Sequence, residues 1–304
     1  MDALSTILDA LHLKSMVYEK VTMSAPWGLD VLQDSNSQFW RLEKGSCFLK
    51  VPDAPVIEMK EGDLVFIPHG SSHWLADAPG SKRVPSAQYV AAWRAGHPLF
   101  TGPGPQAILV GGHFEFHVQS MHPFLRDLPK IIHLSRQKQA ENAALRYYSR
   151  MLYEELDAQR PGNTLIISRL AEIIFISIIR AYLEQATDTT GFLLALKDEH
   201  MSKALQLMQE SPQKEWTISS LAKAIGISRT LFFNQFKKLT GDTPMGYLTD
   251  WRILKAKEIL GVSKENINEI AGLVGYQSEA AFNRIFKQKT GQTPAQYRRE
   301  KLSL

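Results

Sequence analysis

The last ninety residues of the chain state one pattern twice. The first copy runs Thr217, Ile218, Leu221, Ala222, Ile225, Gly226, Ser228, Phe232, Phe236 and closes on Thr240-Gly241-Asp242-Thr243-Pro244. The second runs Asn266, Ile267, Ile270, Ala271, Val274, Gly275, Ser278, Phe282, Phe286 and closes on Thr290-Gly291-Gln292-Thr293-Pro294. From Phe232/Phe282 to Tyr247/Tyr297 the copies are offset by fifty residues, and upstream, from Leu221/Ile270 to Gly226/Gly275, by forty-nine. The one-residue slip falls in a turn between two helices. One copy fits any helical hairpin. Two copies in register demand the same small unit built twice, a pair of helix-turn-helix units at about 217–238 and 267–289.

In each copy the first helix carries an i, i+3, i+4, i+7 apolar stripe, Ile218, Leu221, Ala222 and Ile225 or Ile267, Ile270, Ala271 and Val274. Thr217 is placed to cap the first helix. Gly226 and Gly275 fit the left-handed turn. Ser228 and Ser278 are placed to cap the second helix, whose inner face carries Phe232 and Phe236 or Phe282 and Phe286. A joining helix over about 244–260 would carry Tyr247, Leu248, Trp251, Ile253 and Leu254 on apolar contacts. If it is rigid, it sets the two second helices about one DNA turn apart, roughly 34 Å, on one face of the duplex. Charge agrees. From His200 onward there are 16 Lys and Arg against 9 Asp and Glu, net +7. Residues 1–135 carry 11 against 13, and 136–199 carry 8 against 9. The positive charge is confined to the part that would meet phosphate.

Solvent-facing residues at the start of each second helix are the candidate base readers. They are Arg229, Thr230, Phe233 and Asn234 in copy one and Glu279, Ala280, Asn283 and Arg284 in copy two. Arg284 suits guanine, Asn234 or Asn283 adenine, and Glu279 the amino group of cytosine. Ser228 and Ser278 complete the candidate DNA-binding set, together with Lys237, Lys238 and Lys287, which, like Lys289, lie farther along and suit phosphate. The run Gly275-Tyr276-Gln277-Ser278-Glu279-Ala280-Ala281-Phe282-Asn283-Arg284-Ile285-Phe286-Lys287, followed by Gly291-Gln292-Thr293-Pro294-Ala295-Gln296-Tyr297-Arg298, resembles the signature of the AraC/XylS family of bacterial transcription regulators. The resemblance implies base contacts at Thr230, Asn234, Glu279, Ala280 and Arg284. Copy one departs from the family pattern, which often has a basic residue where Asn234 stands. Copy two is therefore expected to carry more of the hydrogen-bonded readout, and copy one more of the phosphate anchoring.

Residues 16 to about 118 read as short strands broken by Gly, Pro, Asp and Ser. The candidates are 17–21, 28–33, 37–42, 46–51, 64–67, 89–93, 107–110 and 114–118, a pattern that suits a barrel or jelly roll. Gly62-x5-Pro68-x-Gly70-x2-His73 resembles the second motif of the cupin superfamily, which implies that His73 faces the barrel interior, where the enzymes hold a metal. The earlier His-x-His and Glu ligands of that family are missing from Phe39–Gly45. His73, His113 and His117 form a substitute set, but an inward histidine is more often a hydrogen-bonded core residue, so no cofactor or metal is expected. Trp40, Phe48, His73, Trp74, Trp93 and His113 are the candidate ligand-binding residues. The single cysteine, Cys47, excludes an internal disulfide. It sits in a strand pattern with nothing basic closer than Lys44, which favours a structural role over redox sensing.

After Leu134 the period becomes helical, with helices expected at 142–156 and 164–185. The second has an unusually wide apolar face (Ile166, Ile167, Leu170, Ile173, Ile174, Ile178, Leu183), read as a dimer interface in preference to packing on the barrel. Residues 187–190 read as a linker. Arg169, Glu172 and Arg180 interrupt the most apolar stretch, so no membrane span is expected, and the first residues lack a basic leader. The resulting fold class is α+β and multidomain. A cupin-like jelly-roll sensor domain (1–135) precedes a helical dimerisation and linker segment (136–190) and an all-α DNA-binding domain with two helix-turn-helix motifs (191–304). The whole layout resembles the AraC-family branch with an N-terminal cupin-like domain. It implies a cytoplasmic, homodimeric, sequence-specific regulator that binds double-stranded DNA and a small-molecule effector, and RNA polymerase if it activates. A metal-dependent cupin enzyme lacks its ligand set, and a non-specific architectural protein would not discriminate between DNA sequences.

Overall fold

Alternation along the strands decides which side chains meet in the N-terminal half. In a computed structural model, residues 1–11, 13–116, 122–137, 143–158, 160–185 and 191–302 are described. They divide into two compact units, Leu13–Gln119 with Leu128–Thr187, and Met1–His12 with Ser120–Asp127 and Asp188–Leu304. The expected linker 187–190 and His117 lie outside the described residues.

The first unit holds two five-stranded sheets. One is ordered β1 (Lys14–Ser24), β9 (Gln106–Glu115), β3 (Ser37–Lys44), β6 (Leu64–Ile67), β10 (Ile132–Leu134). The other is ordered β5 (Ile57–Lys60), β4 (Ser46–Lys50), β7 (His73–Ala76), β2 (Gly28–Val31), β8 (Val84–Pro85). Pairing is antiparallel except between β2 and β8. Trp40, Leu42, Val65 and Leu109 of one sheet meet Leu29, Cys47, Leu49, Met59 and Leu75 of the other in a shared core. This is the jelly-roll arrangement of a cupin.

Four strands absent from the expected set, β5, β7, β8 and β10, complete the sheets. The expected strand at 89–93 is instead part of helix α2 (Ser86–Arg94). Its aromatic residues suggested a strand, but Ala87, Ala91 and Ala92 favour a helix, and only Tyr89 of the helix is buried. The expected strands 107–110 and 114–118 belong to the single strand β9, which ends at Glu115. Gly111 and Gly112 are not a turn. A Cβ at Gly111 would come within 2.5 Å of the Trp40 ring, and one at Gly112 within 2.5 Å of the Phe39 ring. The glycines let β3 lay its aromatic rings over β9.

The other face of the first sheet carries Phe39, Phe66 and Phe114. Helices α4 (Ala143–Ala158) and α5 (Asn163–Gln185) belong to the same unit. Phe175 of α5 lies 5.6 Å from Phe66 and 5.0 Å from Phe114, centroid to centroid. Ile174, Phe175, Ile178 and Ile179 are buried. Much of the breadth of the apolar face is therefore covered by the sheet of the same chain and not by a second chain. Leu165, Ile166 and Ile173 stay exposed. Among the described residues no helix is long and apolar enough to cross a membrane.

The second unit is helical. It contains α1 (Ala3–Ala10), α3 (Pro123–Arg126), α6 (Gly191–Lys197), α7 (Glu199–Glu210), α8 (Ile218–Ala224), α9 (Arg229–Thr240), α10 (Pro244–Val262), α11 (Ile267–Leu273), α12 (Glu279–Thr290) and α13 (Pro294–Leu302). The two units do not coincide with the expected division at 135 and 190. Met1–His12 and Ser120–Asp127 group with the helical unit, and Ala3, Ile7, Ala10, Phe124 and Leu125 within them are buried. Ala3, Ile7 and Ala10 line the buried face of α1, and the Met1 amino group sits 2.9 Å from Glu210 of α7. His122 lies edge-on to Phe192, Tyr247 and Trp251, with centroids 5.1, 5.9 and 6.2 Å away. Its Nδ1 accepts from the Phe124 N–H, so Nε2 carries the proton. That N–H has no hydrogen-bond acceptor and ends against aromatic rings. Burial pushes the His122 pKa down to about 3.

Candidate nucleic-acid interface

Local rules written twice in the sequence produce two closely matched readers. Thr217 and Ser220 exchange side-chain and backbone hydrogen bonds at the start of α8, and Asn266 and Glu269 do the same at the start of α11. Both first helices end on a glycine in the left-handed region, Gly226 at φ 75° and Gly275 at φ 92°. Ser228 Oγ then accepts from the Leu231 N–H at 3.2 Å, and Ser278 Oγ from the Ala281 N–H at 3.3 Å. Phe232 and Phe236 stack edge to face at 5.7 Å, Phe282 and Phe286 at 5.5 Å, and all four rings are fully buried. Burying each contributes about 1.5–3 kcal/mol and fixes the rotation of its helix. That rotation sends the opposite face into solvent.

The opposite face is the set expected from the sequence. Ser228, Arg229, Thr230 and Asn234 are exposed on or beside α9 and Phe233 is half-buried; Ser278, Glu279, Ala280 and Arg284 are exposed on or beside α12 and Asn283 is half-buried. Asn283 Nδ2 donates to Glu279 Oε1 at 3.4 Å, one helical turn back, so these two polar groups present a joined surface. Lys237 and Lys238 are exposed in the last turn of α9, as is Lys287 in that of α12. Lys289 is also exposed, and its Nζ lies 2.6 Å from Asp250 on α10.

Two features were missed. Leu231 is half exposed on α9, where the spacing from Phe232 places it off the buried face, and it adds apolar surface beside Asn234. Arg252 on α10 has no signal in the periodicity. Its Nε donates to the Pro212 carbonyl at 2.8 Å and its Nη2 to that of Lys214 at 3.1 Å. Helix α10 is continuous for 19 residues, with Thr243 as its N-cap and Pro244 at its first position, and buries Tyr247, Leu248, Trp251, Ile253 and Leu254 as expected.

The candidate ligand set is divided by the pleat. Trp40, His73 and His113 are buried, while Phe48 and Trp74 alternate with core residues and are half-buried on the outer face. Trp74 carries the Arg83 guanidinium over its ring at 5.0 Å. Trp93 stands exposed on α2. Phe48 and Trp74 do not face the interior, because a shift of one position along a strand reverses the face, and Trp93 does not because its segment is a helix. His73 Nε2 accepts from Trp40 Nε1 at 2.8 Å, and its Nδ1 is 2.9 Å from the Ser71 carbonyl. The ring is thus neutral, with its proton on Nδ1 and its lone pair occupied. Burial holds its pKa down at about 4. A metal would have to displace Trp40 from that lone pair. His113 Nε2 pairs with Glu115 at 3.2 Å, and among the described residues no group of three His, Cys, Asp or Glu side chains is arranged to hold a metal. Cys47 is fully buried, and burial pushes its thiol up to about 12, far from the thiolate that oxidant chemistry uses. Two clefts open on this unit: one of about 630 Å³, whose lining includes Arg41, Glu43, Glu61, Arg136, Arg150 and Tyr153, and one of about 760 Å³ along β1 and α5.

Comparison with known proteins agrees with both halves. A cupin family model matches residues 2–184, and a helix-turn-helix domain model matches 221–300. The HTH-type transcriptional regulator AlkR of Acinetobacter baylyi is 30% identical over 99% of this chain and 100% of its own length. A protein of Streptomyces antibioticus named as an AraC-like transcription regulator is 30% identical over 98% of this chain and 99% of its own. The DNA-binding domain of AdpA, solved in complex with a target DNA, is 28% identical over 34% of this chain and 93% of that one, with a TM-score of 0.33. Two matched readers on one helical unit, a cupin sheet pair before them and full-length similarity to such regulators lead to one conclusion: the chain belongs to the AraC-type family of helix-turn-helix transcriptional regulators with an N-terminal cupin domain, and it is a DNA-binding regulator and not an enzyme.

Proposed function

We propose that α9 and α12 enter successive major grooves on one face of the duplex and divide the work unequally. The observation that carries this is the pair of exposed faces, built alike and chemically different. In α12, Glu279, Asn283 and Arg284 offer an acceptor, an amide and a guanidinium to base edges. In α9, Thr230 and Asn234 offer less hydrogen-bonding capacity, while Phe233 and Leu231 suit thymine methyls and Lys237 and Lys238 suit phosphate. Arg229, Ser228, Ser278, Ala280 and Lys287 complete the two surfaces. The test is competition binding of the full chain to a selected site against random duplex at fixed salt. A regulator should prefer its site by roughly 10³ or more. Discrimination under about tenfold would fit an architectural DNA protein instead. Alanine substitution across each reading face should relax sequence preference more for α12 than for α9, and comparable losses would overturn the division of labour.

We further infer that the cupin unit senses a small-molecule effector whose unequal affinity for two arrangements of the chain shifts DNA binding. The two clefts support this, being within the size range of ligand sites. In the sheet interior Trp40 and His73 are hydrogen-bonded to each other. The protein works in the cytoplasm, as a homodimer supported by the exposed Leu165, Ile166 and Ile173, and meets RNA polymerase where its site lies beside a promoter.

A further inference from the structure

The two readers are joined by more than the helix between them. The loop before α8, Ser211–Trp216, is a closed turn. The Lys214 N–H donates to the Ser211 carbonyl at 3.2 Å, the Trp216 N–H to that of Lys214 at 2.7 Å, and Trp216 Nε1 to Ser211 at 3.0 Å. The Lys214 ammonium lies 4.0 Å above the Trp216 ring. The turn of the second reader lies against this loop. A Cβ at Gly275 would come within 2.6 Å of the Pro212 carbonyl and 2.8 Å of Gln213 Cα, whereas at the equivalent Gly226 it would meet nothing within 4 Å. Gln277 Nε2 donates to Glu215 at 2.7 Å. Arg252 stands where the pieces meet. Its fork is bonded to the Pro212 and Lys214 carbonyls, and its guanidinium lies 5.7 Å from the centre of the Tyr276 ring.

We propose that Arg252 is a positioning residue that sets the half-site spacing the protein accepts, by clamping the loop of the first reader to the Gly275–Gln277 turn of the second. The proposal rests on the two-groove reading above. Each reader packs on its own end of the joining helix, Phe236 against Tyr247 and Phe282 and Phe286 in one core with Ile253 and Leu260, so the freedom left between them is bending and twisting of that helix. A second connection, made off the helix axis, removes that freedom and fixes the separation and rotation of α9 and α12. Simultaneous engagement of both grooves then depends on spacing, because each base pair added or removed rotates one half-site around the duplex.

The experiment measures affinity of the full chain for duplexes whose half-sites are moved by one or two base pairs either way. The wild-type chain should lose about tenfold or more per base pair. Arg252→Ala should bind the native spacing about tenfold more weakly and differ by less than about threefold between native spacing and one base pair off. Arg252→Lys should behave like the alanine variant, because one ammonium cannot serve both carbonyls and the ring as the planar fork does. Gln277→Ala, which alters an exposed side chain, should flatten the profile in the same direction without threatening the fold. Simple damage to the fold lowers affinity at every spacing in parallel, and a parallel loss in both alanine variants overturns the clamp. A wild-type profile with no optimum would strike the two-groove reading itself. The clamp is then decided without DNA, by the distance distribution between nitroxides on Lys223→Cys and Gln288→Cys, both exposed positions, with buried Cys47 unlabelled. That distribution should broaden in Arg252→Ala, and an unchanged width overturns the proposal.

Discussion

Replacing Gly226 and Gly275 by alanine, one at a time, should cost unequal amounts although the two glycines hold the same place in their repeats. Both have positive φ, 75° and 92°. An alanine in that region costs about 1 kcal/mol, because its Cβ crowds the following carbonyl. At Gly226 nothing else lies within 4 Å of the added carbon, so the cost should stop there. At Gly275 the methyl meets the Pro212 carbonyl at 2.6 Å, Arg252 Nη2 at 2.8 Å and Gln213 Cα at 2.8 Å. The arginine end can swing away, but the backbone of a closed turn cannot, and forced overpacking adds about 1–3 kcal/mol. The expected losses are therefore about 1 kcal/mol for Gly226→Ala and about 3 kcal/mol for Gly275→Ala. A chain of two units does not unfold in one step, so native-state hydrogen exchange of α8–α9 and of α11–α12 is the suitable assay. Equal losses, or a larger loss at Gly226, would refute the packing of the second turn against the loop.

Other substitutions separate the remaining roles. Arg284→Ala should cost roughly 1–3 kcal/mol and relax preference at one base pair, whereas Lys237→Ala should weaken all sequences alike; equal losses on selected and random DNA for Arg284→Ala would defeat the first. His73 has a folded pKa of about 4, below its ordinary 6.5, so its contribution to stability is complete above about pH 6.5 and is lost as pH falls towards 4. The span corresponds to about 3 kcal/mol, and His73→Gln, which keeps an acceptor for Trp40, should flatten the acid limb of a thermal-melt series by that share. His122→Ala removes a buried ring from between Phe192, Tyr247 and Trp251 and should cost about 2 kcal/mol in the helical unit, read as a lower melting temperature by Trp fluorescence; an unchanged melt would mean that the ring fills no essential space.

The helical unit was legible because local rules carried it. Caps at Thr217, Ser228 and Ser278, left-handed glycines and paired phenylalanines each fix a nearby piece of backbone, and the repeat supplied a check on every one. The β-rich unit was less legible because its strands are completed by partners far away in sequence. Gly111-Gly112 reads locally as a turn, and only the rings of Phe39 and Trp40 explain why it is strand. The face of Phe48 or Trp74 depends on a one-residue register that composition does not specify. The apolar breadth of α5 was visible, but not that Phe66 and Phe114 would cover it. Arg252 was invisible for a related reason. Its partners are backbone carbonyls, which leave no trace in side-chain identity.

The most direct test of a paired reader is a hydroxyl-radical footprint of the full chain on the site that it selects from random duplex. The account predicts two protected patches on one face of the DNA, centred about one helical turn, 10–10.5 base pairs, apart for each bound chain. The patch assigned to α12 should hold the positions most sensitive to base change. One protected patch per chain, or two on opposite faces of the duplex, would contradict it.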